Sequence, residues 1–486
     1  MSDVKLNYIN NQWVDSGIHK NSINPSNGEV LGVWAEASTQ NVQGAIDAAV
    51  KTFRESDWKD NRYLRARVLN EMADRFDEHA DKIIRMLSLE NGKILQEAGF
   101  ELMGTSRKLR YFASMALTTS GRALETAPGT FSMVLAQAIG VAGIIVPWNS
   151  PVILLIRSLA PALAAGCTTV IKMPSATALV NNLVSEVFAA TKSLPPGVCN
   201  LFTEGPTGQG SPMLIADKNV PTISYTGSTK VGKVLMENLA KNLKRFGLEL
   251  GGKTPMILFD DADLDKALPL LEKGITVFAG QFCMTGSRIL VQKGIADKVR
   301  AGLSERLGKV KVGPGIDPSS EMGPMIDKAN VARVEATVQK AIAEGAKVIT
   351  RGGPATDGEL AKGAFYRPTL LEVSDNKMSI VQDETFGPVA TLQVFETEAE
   401  AVELANDNIY GLSASVWSTN VDLPLRVARE LDAGTVWIND WAQIDDEFEE
   451  GGFKMSGPGR LNGESSLRDF QEIKHIFHNA KTIRRN

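Results

Sequence analysis

From Val141 onward the chain alternates short apolar β-type runs with helical segments, and no other property narrows its fold as much. Runs that read as strands are Val141–Val146, Thr168–Met173, Thr222–Tyr225, Pro255–Phe259, Arg288–Val291, Lys347–Thr350, Val389–Val394, Ser413–Trp417 and Gly434–Ile438. Helical spacing intervenes at Leu155–Ala165, Leu179–Thr191, Lys230–Asn242, Asp263–Val277, Ile295–Leu307 and Lys328–Glu344. The strand runs are apolar at nearly every position, as strands covered on both faces must be. This order predicts an α/β chain whose parallel sheets lie under helices on both sides. Two earlier helices are expected over Asn41–Trp58 and Arg62–Glu90, the second stopped by Asn91-Gly92.

A chain of 486 residues exceeds what one core serves, so two or three domains are expected. A break falls near Phe246-Gly247, where the first strand–helix units end. Ligands favour the seam between two such units. The net charge of −5 gives no electrostatic reason to expect nucleic acid or an anionic membrane as partner. Residues 126–156 carry no charged side chain, but Pro128, Pro147 and Pro151 interrupt them, so strands and a helix start are expected there rather than a membrane span. The start of the chain lacks the apolar run of a signal peptide. The acidic run 445–450 reads as a solvated loop.

Only three cysteines occur, Cys167, Cys199 and Cys283, with no close pair. That spacing argues against a disulfide framework and a cysteine-rich metal site, and points to the cytosol. Cys283 alone sits in a polar, glycine-punctuated segment, Ala279-Gly280-Gln281-Phe282-Cys283-Met284-Thr285-Gly286. Upstream, Glu249 stands between Leu248 and Leu250 with glycines on either side, a setting in which desolvation raises a carboxylate's pKa towards base function. The four histidines, His19, His79, His475 and His478, lie outside every motif, so a Cys-His pair and a histidine metal site are not expected. If Cys283 is a nucleophile, its base is a carboxylate.

Four further segments admit a chemical and a plain structural reading. Thr226-Gly227-Ser228-Thr229 follows a strand and opens a helix, which suits a phosphate on free N–H groups and equally suits an ordinary capped turn. Lys172 ends a buried strand, where it either bonds ribose and phosphate or snorkels to water. Asn149 lies between Pro147 and Pro151, either as a rigid donor to an oxyanion or as a turn residue. Glu384 and Phe386, before the strand at Val389, either hold a ribose and a flat ring or form a polar turn.

In this order, Pro147-Trp148-Asn149, Gly227-Ser228-Thr229-x-x-Gly232, Glu249-Leu250-Gly251-Gly252-Lys253, Gly280-Gln281-x-Cys283 and Glu384-x-Phe386-Gly387-Pro388 resemble the aldehyde dehydrogenase superfamily. The resemblance extends from Ile9 to about Lys474. It implies a Rossmann-like cofactor domain of residues 1–115 and 137–246, a catalytic α/β domain of 247–440, a return to the cofactor domain over 441–466, and a β oligomerisation element of 116–136 and 467–486. A homo-oligomer, dimer or tetramer, follows from that element. By position, Cys283 is implied as nucleophile, Glu249 as general base and Asn149 as oxyanion donor beside the Cys283 N–H. Val146, Pro147, Trp148, Lys172, Ser175, Gly205, Gly227, Ser228, Leu250, Glu384 and Phe386 fall on positions for NADP or NAD. The implied reaction oxidises a small-molecule aldehyde to a carboxylic acid through a thiohemiacetal and a thioester on Cys283.

Departures from the family pattern shape the finer expectations. Ser175 stands where many members place a glutamate on the adenosine ribose, so NADP is expected to be accepted and even preferred, with Lys172 as counter-charge. Arg157, Ile153, Phe282 and Trp441 are expected along the substrate entrance, with Phe278 adding to an aromatic funnel. Arg157 there either clamps a carboxylate, bonds a polar ring substituent, or serves as a structural ion-pair residue. The expected substrate is an aromatic aldehyde of the benzaldehyde or salicylaldehyde type, with a carboxylate-bearing semialdehyde or an aminoaldehyde as alternatives. Glu447, Glu449 and Glu450 stand where members often read Pro-Phe-Gly-Gly, which suits either a cationic aminoaldehyde or a solvated loop, and Arg157 argues against a cationic substrate. A cysteine-dependent thioester hydrolase or acyltransferase is the remote rival, and it leaves Lys172, Ser228, Glu384 and Phe386 without shared purpose.

Overall fold

Two seven-stranded sheets carry the molecule, and both are mainly parallel. The computed structural model describes residues 4–119 and 121–480. Residues 1–3 and 120, and the end of the expected tail, 481–486, lie outside the described residues.

The first sheet runs Arg245–Glu249, Thr222–Thr226, Val141–Ile145, Thr168–Pro174 and Cys199–Glu204 in parallel, then Asn7–Ile9 and Gln12–Val14 antiparallel. The second runs Lys347–Thr350, Thr369–Glu372, Val389–Phe395, Arg288–Gln292, Pro255–Leu258, Ser413–Trp417 and Thr435–Ile438, with only Lys347–Thr350 antiparallel. The central strands are buried along nearly their whole length, which is why they read as continuous apolar runs. Among the described residues no helix is long and apolar enough to cross a membrane.

Residues 247–249 belong to the first sheet, paired with Ser224, Tyr225 and Thr226. The chain therefore crosses to the second sheet after Glu249 and not at Gly247, and the crossing segment carries Gly251, Gly252 and Lys253. The long helix Leu95–Thr118 has no counterpart among the expected elements. Its buried face holds Glu97, Glu101, Thr105, Ser106 and Lys108, so the apolar stripe that betrays an amphipathic helix is interrupted. This helix continues through residues 116–118, so the expected hairpin begins only at Arg122 and extends to Ala138.

The acidic run is a solvated loop only in part, with Asp445, Glu447 and Glu449 exposed. Asp446 and Glu450 are buried, and Asp446 accepts from Arg107 Nε at 2.7 Å and from Lys108 Nζ. Helix Leu95–Thr118 supplies those cations, and a buried carboxylate is stable only when so paired. A third, antiparallel sheet joins Arg122–Ala127, Thr130–Ala138 and Gln471–Asn479 and is largely exposed.

Candidate active site

Cys283 follows a loop in which Phe278, Ala279 and Gly280 all take left-handed conformations, with φ of 50°, 53° and 69°. Each non-glycine residue there costs about 1–3 kcal/mol, so the surroundings must impose the loop. They do so from several sides. Glu97 Oε1 accepts the Phe278 N–H at 2.9 Å, and the Lys93 ammonium sits 3.6 Å from the Phe278 ring centroid. Gln281 Nε2 donates to Phe278 O at 3.0 Å, and Gln281 Oε1 accepts the Ile326 N–H at 2.9 Å. A side chain at Gly280 would strike the backbone of Gly387 and Pro388, so glycine is needed there for space as well as for φ. Gly252 is bare for a similar reason, since a Cβ would collide with the Cys283 carbonyl oxygen.

Asn149 is buried, and its Nδ2 donates to Gln281 O at 3.1 Å, which ties the strand-end loop to the nucleophile loop. One amide N–H remains for another acceptor. The next residue, Ser150, accepts Lys93 Nζ at 2.6 Å, and Lys93 pairs with Glu101 at 2.7 Å. Glu101 Oε1 in turn accepts the N–H groups of Val152 and Ile153 at 2.8 and 3.3 Å, capping helix Pro151–Ala165.

Glu249 ends the strand Arg245–Glu249, and its backbone oxygen accepts the Gly227 N–H at 3.0 Å. The side chain is buried and its Oε1 has no hydrogen-bond partner among the described residues. Gly459 keeps the space beside Oε1 open, where a Cβ would stand 2.9 Å away. Burial lifts the Glu249 pKa well above the usual carboxylate value; Arg157 pulls it back and Glu450 pushes it further up. Burial likewise pushes the Cys283 thiol up to about 12, with Arg157 opposing and Glu450, Glu384 and Glu249 adding to the rise. The resting thiol therefore holds its proton, beside a carboxyl group whose basicity is raised.

Arg157 does not reach into the site as a free cation. Its Nη1 lies 2.7 Å from Glu450 Oε1, and both side chains are buried. The clamp on a substrate carboxylate or ring substituent is thereby corrected, because the acidic run expected in solvent supplies its partner. Trp441 is buried, and its indole N–H donates to Met284 O at 3.0 Å, directly after the nucleophile. Its ring meets Phe282 edge to face at 6.0 Å, and Phe282 meets Phe278 at 5.6 Å in the same manner. Phe282 and Ile153 are half-buried, Ile153 packing over Gly104.

The cofactor candidates gather at the carboxyl ends of the first sheet's parallel strands, where a ligand crevice forms in such folds. Val146 is buried, with its N–H on Lys172 O at 3.0 Å, while Pro147 is half-buried. Burial lowers the Lys172 pKa, with Glu204 opposing. Ser175 opens a short turn beside Gly205. Gly227 faces the Tyr225 ring, and Ser228 caps helix Thr229–Ala240, its Oγ accepting the Val231 N–H at 3.4 Å. Leu250 is buried against Gly232. Glu384 accepts the Gly252 N–H at 3.2 Å; burial raises its pKa to about 7, while that bond, Lys253 and Arg333 pull it down. Phe386 has a φ of 49° and meets Trp148 edge to face at 5.7 Å; Arg333 holds the carbonyls of Thr385 and Phe386 at 2.7 and 3.1 Å. Bare backbone at Gly205 and Gly227, a free helix start and an aromatic pair fit a nicotinamide dinucleotide.

Sequence reasoning missed Lys93, Glu97 and Glu101, because they stand on or before the unrecognised helix. It also missed the pairing of Glu450 with Arg157, and Glu36, whose carboxylate reaches Gly205 with no local motif to mark it.

A buried thiol in a strained loop, a desolvated carboxylate and a crevice at the strand ends are features in keeping with a nicotinamide-dependent dehydrogenase. The chain matches the aldehyde dehydrogenase family over residues 13–476 and belongs to that family. It is 36% identical over 478 residues to betaine aldehyde dehydrogenase of Bacillus subtilis (strain 168), covering 98% of this chain and 97% of that one. It is 35% identical over 482 residues to aldehyde dehydrogenase family 2 member C4 of Arabidopsis thaliana, covering 97% and 95%. The crystal structure of betaine aldehyde dehydrogenase from Staphylococcus aureus in complex with NAD+ superposes with a TM-score of 0.94 at 37% identity, covering 99% of this chain and 96% of that one. In crystals of that enzyme and its point mutant one cysteine is described as BME-free or BME-modified.

Proposed function

We propose that this aldehyde dehydrogenase oxidises a cationic aminoaldehyde, an ammonium group close to the aldehyde, to its carboxylic acid. The observation that carries the substrate class is the pairing of Arg157 with Glu450. It leaves no unpaired guanidinium to favour a carboxylate or a phenolic ring, and the aromatic side chains next to the nucleophile are Phe282 and Trp441, which meet edge to face. Aromatic faces attract quaternary and primary ammonium groups by about 0.5–2 kcal/mol. The relatives named as betaine aldehyde dehydrogenases support the same reading. The aromatic aldehyde leaned on Arg157 as a donor, and that donor is taken.

In the chemistry, Glu249 takes the Cys283 thiol proton, and the sulfur attacks the aldehyde carbon to form a thiohemiacetal. The developing oxyanion accepts the second Nδ2 hydrogen of Asn149 and the Cys283 N–H. Lys172, Ser228, Glu384, Phe386 and Trp148 would hold NAD, which would supply the hydride acceptor. Loss of hydride from the carbon leaves a thioester on Cys283. Glu249 releases the thiol proton to solvent and then takes a proton from water, which attacks the thioester carbon; collapse expels the sulfur, which takes that proton from Glu249 as the carboxylic acid leaves and the thiol re-forms. Leu124, Leu135, Ile473 and Phe477 are exposed on the third sheet, which supports a second copy of this chain covering it. The three unpaired thiols support the cytosol as compartment.

The test is kcat/KM for betaine aldehyde, its neutral isostere 3,3-dimethylbutanal, benzaldehyde, salicylaldehyde and succinic semialdehyde. Betaine aldehyde is expected to exceed its isostere by about tenfold, the scale of one cation–π contact. Equal values for the isostere, or a higher value for benzaldehyde, would overturn the substrate class.

A further inference from the structure

Glu36 is carried to the edge of the cofactor crevice by its backbone. The strand Val30–Ala35 ends beside it. The Glu36 N–H donates to Ile18 O at 2.8 Å, and the Ala37 N–H donates to Thr203 O at 2.9 Å. Thr203 lies in the strand that pairs with the one carrying Lys172. The segment is thus bonded on both sides, and the side chain has a fixed starting point.

The carboxylate is anchored as well. Glu36 Oε1 accepts the Gly205 N–H at 3.0 Å. A Cβ on Gly205 would stand 2.8 Å from that oxygen and 3.9 Å from Ser175 Oγ, so Glu36, Gly205 and Ser175 lie together. The second oxygen, Oε2, has only Lys20 Nζ near it, at 3.8 Å, and the Lys20 side chain is 54% exposed. One oxygen is therefore held by the protein, while the other makes no hydrogen bond among the described residues and remains an acceptor.

We propose that Glu36 reads the adenosine ribose, with Oε2 accepting its 2′-hydroxyl and repelling a 2′-phosphate. The inference rests on the nicotinamide reading of the crevice. It reverses the expectation drawn from Ser175, because the missing glutamate of that strand end is replaced by a carboxylate from the N-terminal segment. In dinucleotide folds an acidic residue on the ribose hydroxyls selects NAD, and a like charge against a phosphate is strongly unfavourable. Lys20 and Lys172 are the counter-charges that a 2′-phosphate would meet once the carboxylate is gone.

Binding of NAD+ and NADP+ to the full chain, followed by quenching of tryptophan fluorescence, tests this without turnover. The parent chain is expected to bind NAD+ at least about tenfold more tightly than NADP+. Glu36→Gln retains an acceptor for the Gly205 N–H and so keeps the local fold. It is expected to close the gap to within about threefold, mainly by tightening NADP+. A Glu36→Gln chain with the parental ratio, or a parent that prefers NADP+, overturns the assignment of Glu36 alone. A parent that binds neither nucleotide overturns the nicotinamide reading itself. Glu36→Ala/Lys20→Ala is expected to lose the NADP+ gain seen in Glu36→Gln, and an undiminished gain would contradict the counter-charge argument.

Discussion

Arg157 Nη1 meets Glu450 Oε1 at 2.7 Å as an ion pair, and neither side chain has a hydrogen bond or a second ion pair among the described residues. The contact joins the helix Pro151–Ala165, which follows the oxyanion loop, to the segment that returns after the second sheet. Both charges act on Cys283 and on Glu249, Arg157 lowering their pKa values and Glu450 raising them. A single ion pair thus sets both the architecture of the site and its charge balance.

A buried ion pair is costly to break and cheap to replace as a unit. Arg157→Leu or Glu450→Leu alone is expected to destabilise the chain by about 3–5 kcal/mol, because each leaves an unpaired buried charge. The double variant is expected to recover most of that loss, with coupling of the size seen for contacting residues. Thermal unfolding of the three variants measures it. Additive losses would mean that the two groups do not depend on each other.

The Cys283 thiol, pushed up to about 12 chiefly by burial, stays protonated across the physiological range. Since only the thiolate reacts, alkylation by iodoacetamide without nucleotide is expected to rise about tenfold per pH unit from pH 7 to 9. Glu450→Gln removes a charge that raises the pKa and speeds alkylation at each pH; Arg157→Gln removes one that lowers it and slows the reaction. The quantity to follow is the loss of free Cys283 by mass spectrometry. A plateau below pH 8 in the parent chain would contradict the burial argument.

The legible parts of the sequence were those in which one residue type serves one physical need. Buried parallel strands need apolar residues throughout, so Val141–Ile145 and Arg288–Gln292 stood out. The loops at Gly227, Gly252 and Gly280 need glycine because a Cβ would collide, so their motifs were visible too. Strand Arg245–Glu249 was hidden because two charged residues and a glycine occupy its five positions. Helix Leu95–Thr118 was hidden because its inward face is spent on Glu97, Glu101 and Lys108. The partners of Arg157 and Gly205 come from distant segments, and no local pattern announces a pairing across the fold.

Asn149 holds one hydrogen on Gln281 O at 3.1 Å and has another to offer. Asn149→Ala is expected to remain folded, since Lys93, Glu101 and Ser150 still fix the loop, and to lose about 10²–10³ in kcat, the usual cost of one oxyanion donor. Steady-state kinetics beside circular dichroism check it. Parental kcat in a folded variant would remove Asn149 from the oxyanion site.

Glu249 separates the two halves of the reaction. Its pKa is raised well above the carboxylate range, first by burial, so its conjugate base is the form lost as pH falls. The acid limb of kcat is therefore expected well above pH 4.5, with activity falling below the raised pKa. Glu249→Gln removes the proton acceptor that activates water, while the thiol can still react slowly through its own ionisation at high pH. The variant is expected to give about one equivalent of reduced nicotinamide per site at pH 9 and then turn over at least about 10²-fold more slowly, the lower scale of general-base catalysis. Hydroxylamine, which cleaves thioesters without a protein base, is expected to restore steady production. A Glu249→Gln chain with parental steady-state rate and an unmoved acid limb would show that another group activates the water.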